Sequence, residues 1–236
     1  MKRRLFAMGG GGFQMEPEDL RLDRFFLGLT AKGHPRVLLV PTASGDSRDL
    51  VERFERACVE LGAIPSVLSL FRGTRPDLDA YVREHDVVYV TGGNTRNMLV
   101  LWREWGLDRA LRGAYDAGVV VGGLSAGSLA WFEAGVTDSV PGTLSPIAGL
   151  GWLAGSHCPH YDGEPGRKPA FESMIADGSL PAGVGLDDGV GVLYEDERRV
   201  AIVTSREGRG ASFVDGVDGA SRTRFERARW LDTRGQ

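Results

Sequence analysis

The feature that most constrains this chain is a repeated pattern. Short β-branched and apolar runs end in glycine-bearing turns and are followed by segments with helical spacing. Leu5–Met8 leads into Gly9-Gly10-Gly11-Gly12, and Val37–Val40 into Pro41-Thr42-Ala43-Ser44-Gly45-Asp46. Val87–Val90 runs into Thr91-Gly92-Gly93-Asn94, and Val119–Val121 runs into glycines as well. Between them, Leu50, Val51, Phe54, Ala57, Cys58 and Leu61 fall on one helical face, which Gly62 ends. Asp77–Arg83 and Thr95–Trp105 read as further helices, Val67–Phe71 as a further strand, and Met15–Leu20 as a helix start with acids suited to the helix dipole. Strands alternating with helices require right-handed crossovers. The expected fold class is therefore α/β, a three-layer, doubly wound, mostly parallel sheet covered on both faces. A chain of 236 residues suits one domain over 1–236.

After about residue 135 the pattern loosens. Val136–Leu150 and Gly163–Pro169 are rich in Gly, Pro, Ser and Thr and read as irregular, function-bearing stretches. Gly191–Tyr194, Val200–Thr204, Ala211–Val214 and Phe225–Leu231 read as an antiparallel finish to the sheet. With 42% hydrophobic residues and a net charge of −4, a large core is expected and a nucleic-acid partner is not. No apolar run is long enough to span a bilayer or to form a signal peptide. Cys58 and Cys158 are too few for a disulfide framework, which leaves the cytoplasm as the expected compartment.

The chemistry centres on Gly123-Leu124-Ser125-Ala126-Gly127, between the run Val119–Val121 and the segment Ser128–Phe132, which reads as a first helical turn. Small residues flank the serine because strand and helix pass close together in a strained turn that lifts Oγ clear of the backbone. The next amide then faces a developing oxyanion at a helix N-terminus. A glycine amide of the Gly92-Gly93-Asn94 turn, at the same sheet edge, is a candidate second donor, with Asn94 a candidate helix cap.

A serine nucleophile needs a base, and there are four histidines. His34 lies in a polar loop, and His85 ends a charged helix where it reads as solvated. His157 and His160 share Ser156–Asp162 in the irregular region, and either can serve. The spacing of His157, Cys158, His160 and Asp162 does not match zinc patterns, so no metal is expected. The orienting carboxylate is sought in Gly185-Leu186-Asp187-Asp188-Gly189, with Asp138 as runner-up. The order Ser, His, Asp differs from the Ser, Asp, His of the α/β-hydrolases. The tetrad Gly9–Gly12 lacks the Lys-Ser/Thr of a phosphate loop and reads as a close-approach turn beside the pocket.

Taken together, Val90–Thr95, Gly123–Gly127, Pro159-His160-Tyr161 and Gly185–Gly189 resemble the motifs of the peptidase E and cyanophycinase family of serine peptidases, in order and spacing over about residues 35–205. The resemblance implies a class I glutamine amidotransferase-like fold and hydrolysis of small peptides without a cofactor. It implies Ser125 as nucleophile, His160 as base and Asp188 as acid, with the amides of Gly93 and Ala126 as oxyanion donors. The partner expected is a small peptide, with no nucleic acid and no membrane; self-association into a homo-oligomer stays open. Asn94 and Arg167 are the candidate substrate-binding side chains.

Two positions depart from the family. Its best-known members carry Glu where this chain has Asp188, one methylene shorter. The position of the basic residue that reads an N-terminal aspartate falls near Phe171. Arg167 could substitute, but Asp162 and Glu164 oppose an acidic side chain. The expected function is a serine exopeptidase or dipeptidase; an esterase or amidase on the same residues, and a non-catalytic binding protein, are the alternatives.

Overall fold

The computed structural model describes residues 2–72 and 77–232. The first half runs β1 (Arg4–Met8), α1 (Gly12–Met15), α2 (Arg21–Gly28), β2 (Arg36–Val40), α3 (Arg48–Leu61), β3 (Ile64–Val67), α4 (Leu78–Arg83), β4 (Val87–Val90), α5 (Thr95–Trp105), α6 (Leu107–Asp116), β5 (Val120–Leu124) and α7 (Ala126–Leu129). The second half runs β6 (Phe132–Val140), β7 (Thr143–Ala148), β8 (Leu153–Cys158), α8 (Arg167–Ala176), β9 (Gly183–Leu186), β10 (Val190–Glu195), β11 (Arg198–Thr204), β12 (Gly210–Val217), β13 (Ala220–Arg227) and β14 (Arg229–Trp230).

The first sheet has the order β14-β11-β10-β1-β5-β4-β2-β3. Strands β1, β5, β4, β2 and β3 are mutually parallel, and β10 and β11 close the other side antiparallel. Alternation along β1 explains the layers. Leu5 and Ala7 join one core with Trp102 of α5 and Leu111 of α6, whereas Phe6 and Met8 join another with Phe26 of α2 and Phe54 of α3. Helices cover both faces, and the class is the mixed α/β fold expected. The carboxyl ends of β1, β4 and β5 lie at one edge, which gathers the glycine tetrad, Gly92-Gly93 and Ser125.

The later strands do not all finish that sheet. β12 and β13 belong to a second, six-stranded sheet of order β13-β12-β9-β8-β6-β7. Val136–Leu150 is not irregular: it forms most of the antiparallel β6–β7 pair, in which β7 has no fully buried residue. Solvent contact explains its polar composition. The strand expected at Val67–Phe71 lies earlier, as β3, where Pro65 is tolerated because β3 is an edge strand. The helix expected from Met15 starts at Arg21; Glu16 instead pairs with Arg206, and Asp19 with Arg21. The helix after the elbow is one turn, because Phe132 already belongs to β6. His85 is buried rather than solvated, with Nδ1 2.9 Å from the Tyr81 carbonyl.

Candidate active site

Ser125 links β5 to α7 with φ 55° and ψ −116°, a conformation that L-residues rarely hold. The surroundings enforce it. Its N–H donates to Met8 O at 3.1 Å, and its carbonyl accepts the N–H groups of Ser128 and Leu129 at 2.9 and 2.8 Å. Both arms of the turn press on β4: a methyl on Gly123 or Gly127 would lie 2.2 or 2.4 Å from the Val90 carbonyl oxygen. Only glycine fits either place. Ala126 opens α7, so its N–H has no acceptor within the helix.

His160 follows β8 and also has a positive φ of 53°. Its N–H donates to Gly9 O at 3.2 Å, its carbonyl accepts from Glu164, and its Nδ1 lies 2.7 Å from Asp188 Oδ1. A carboxylate can only accept there, so in the neutral ring Nδ1 carries the proton and Nε2 is the acceptor. Asp188 follows β9; its own N–H donates to Asp162 Oδ1 at 2.7 Å. Burial raises its carboxyl, but His160, Arg206 and Arg209 outweigh that and hold it below the usual carboxylate range.

The other candidates have different partners. Asp187 accepts the Gly210 N–H at 3.1 Å, with burial raising its carboxyl. Asp138 pairs with Arg167. His157 is fully buried in β8: its Nδ1 donates to Val184 O at 2.9 Å, so its Nε2 accepts from Ser128 Oγ, also at 2.9 Å. Burial lowers His157 to about 4, and the neutral ring ties α7 to β8.

Ser125 and His160 line one cleft of about 320 Å³, with Gly93, Asn94 and Arg167 also on its wall. Gly93 has φ 140°, and a methyl there would lie 2.2 Å from Ala43 O, so its peptide is fixed by shape as well as by torsion. Asn94 caps α5 through Oδ1, which accepts the Asn97 N–H at 2.9 Å, while its Nδ2 donates to Ser139 O at 3.0 Å. Its side chain therefore holds the cleft wall. Arg167 is 3% exposed and bonds to Glu164, Asp138 and the Val136 carbonyl.

Three lining residues escaped the sequence reading: Gln14, Met15 and Ser139. Gln14 and Met15, on the single turn α1, reach the cleft, and Gln14 Oε1 accepts the Gly92 N–H at 2.9 Å beside Gly93. The glycine tetrad just before them was the available signal. Its role is now spatial: a methyl on Gly10 would lie 2.1 Å from Asp188 Oδ1 and 2.9 Å from His160 Nδ1.

Comparison with known proteins places the chain in a family. The family model for peptidase family S51 matches residues 5–202. The chain belongs to peptidase family S51. It is 49% identical over 209 residues to an uncharacterized peptidase, YgaJ, of Bacillus subtilis (strain 168), covering 89% of this chain and 90% of that one. A solved peptidase from an acI-B1 Actinobacterium superposes with a TM-score of 0.68 at 16% identity, over 97% of this chain and 95% of the other. A candidate peptidase E of Listeria monocytogenes EGD-e gives a TM-score of 0.62 at 18% identity, over 85% and 98%. At those identities the two solved structures speak to the fold alone. As a member of an S51 peptidase family, the chain is a peptidase with the amidotransferase-like α/β fold.

Proposed function

We propose that this peptidase is a cytoplasmic serine exopeptidase that releases the first residue of short peptides through Ser125, His160 and Asp188. The observation that carries the reading is the 2.7 Å contact between His160 Nδ1 and Asp188, on a histidine that shares its cleft with the elbow serine. In this reading His160 Nε2 takes the Ser125 proton as Oγ attacks the scissile carbonyl. The amides of Gly93 and Ala126 hold the oxyanion. The imidazolium, stabilised by Asp188, protonates the leaving amine, and the same histidine then activates the water that cleaves the acyl-enzyme.

Replacing Ser125 with Ala tests this. The expected loss in kcat is on the order of 10⁴-fold or more, with an unchanged circular dichroism spectrum and melting curve. Dipeptides and nitrophenyl esters assayed side by side divide the reading from its neighbours. Ester turnover with no peptide turnover would favour an esterase. Full peptide turnover by the Ser125→Ala protein would end the proposal.

A further inference from the structure

The most informative group that the chemistry above does not use is the guanidinium of Arg167. Among the described residues lining the cleft it is the one permanent cation, so it is the only side chain there suited to reading an acidic substrate. It is not available to do so. The side chain is 3% exposed, and each nitrogen has a partner: Nε with Glu164 Oε2 at 2.6 Å, Nη2 with Asp138 Oδ1 at 3.3 Å, and Nη1 with the Val136 carbonyl at 3.0 Å. The two carboxylates are the accessible members, with side chains 47% and 59% exposed. Asp162 is drawn off elsewhere, to Arg209. The trio on the cleft wall therefore carries one negative charge in excess.

We infer that Arg167 sets specificity by holding Glu164 and Asp138 on the cleft wall, so that the site takes peptides whose first residue is uncharged or basic and rejects Asp and Glu there. The inference rests on the exopeptidase reading. In an exopeptidase substrate the α-ammonium is two bonds from the scissile carbonyl carbon and must enter the same cleft. Its single positive charge balances the trio. An N-terminal aspartate brings a carboxylate as well and restores the excess. That carboxylate could reach Arg167 only by displacing a carboxylate already bonded to it, which exchanges one ion pair for another and leaves a displaced charge nearby.

The test is a dipeptide panel X-Leu with X as Ala, Met, Lys, Asp or Glu, run on the wild type and on Glu164→Gln and Asp138→Asn. For the wild type, kcat/KM for Ala, Met and Lys should exceed that for Asp and Glu by about tenfold or more, the effect of one close like charge in a partly screened cleft. In either variant, removal of one carboxylate charge should raise the Asp-Leu to Ala-Leu ratio by about tenfold, whatever the absolute activity. Wild-type cleavage of Asp-Leu as fast as Ala-Leu, or ratios unmoved in both variants, overturns the inference and leaves the peptidase reading intact. If a fluorophosphonate probe labels Ser125 but no peptide on the panel is cleaved, the exopeptidase reading falls and the inference with it.

Discussion

Asp188 reaches His160 because Gly10 and Gly163 stand where any side chain would displace its carboxylate. Methyl groups there would lie 2.1 Å from Oδ1 and 2.2 Å from Oδ2. In the proposed triad the shorter acid works by proximity: the imidazole is 2.7 Å away, and Gly10 and Gly163 crowd the carboxylate. Asp188→Glu keeps the charge and matches the residue that better-known relatives carry. It should nonetheless lower kcat by about tenfold or more, since an added methylene has to move the backbone or the imidazole. Steady-state kinetics beside a melting curve would check this, and wild-type kcat in Asp188→Glu would refute it. These pairings were only half legible in the sequence. Ser125 could be read from its own neighbours, because an elbow is a local motif. His157 lies within β8 and His160 just beyond it, while Asp187 and Asp188 both follow β9, and residue type carries no trace of which one meets the cleft. Resemblance to a family, not residue chemistry, separated them.

At the scale of elements, legibility followed burial. Strands β1, β2, β4 and β5 are flanked by helices on both faces, so they appear as short apolar runs closed by glycine- or proline-bearing turns. The β6–β7 pair has a wet outer face and lies at one end of its sheet, so its Gly, Pro, Ser and Thr content concealed two strands. Helix α7 was overestimated because the chain must turn into β6 after four residues. Its glycines were correctly read as close-approach positions, and that reading can be tested. Gly127→Ala puts a methyl 2.4 Å from the Val90 carbonyl oxygen and 2.8 Å from Val90 Cβ, inside a contact no side-chain rotation relieves. The expected cost is about 2–3 kcal/mol of stability, measured by urea unfolding, with loss of activity even in protein that remains folded. A change within 0.5 kcal/mol would mean that β4 and α7 are free to separate.

Across the whole molecule, the site is assembled where the two sheets meet. The first sheet delivers Ser125 after β5, and the second delivers His160 after β8 and Asp188 after β9. Contacts from the Gly9-Gly10 turn to His160 and Asp188, and from Ser128 to His157, join them. Asp23 of α2 and His157 of β8 are both buried titratable groups, and the two respond to pH with opposite sign. Burial raises Asp23, bonded to the Tyr89 hydroxyl at 2.8 Å, from an ordinary 3.8 to about 6. Between those values the folded protein keeps a proton that the unfolded chain gives up, so stability falls as pH rises, by roughly 3 kcal/mol. Burial lowers His157 from 6.5 to about 4. There the unfolded chain binds the extra proton, so stability rises with pH over nearly the same window, again by roughly 3 kcal/mol. In the wild type these two contributions offset each other from about pH 4 to 6. Asp23→Asn should therefore expose the His157 slope, with stability lost as pH falls from 6.5 toward 4. His157→Gln should expose the opposite slope, with stability lost as pH rises from 4 to 6. Urea unfolding of the three proteins at several pH values reads both slopes directly. Variants whose profiles run parallel to the wild type would mean that neither buried group titrates in that window.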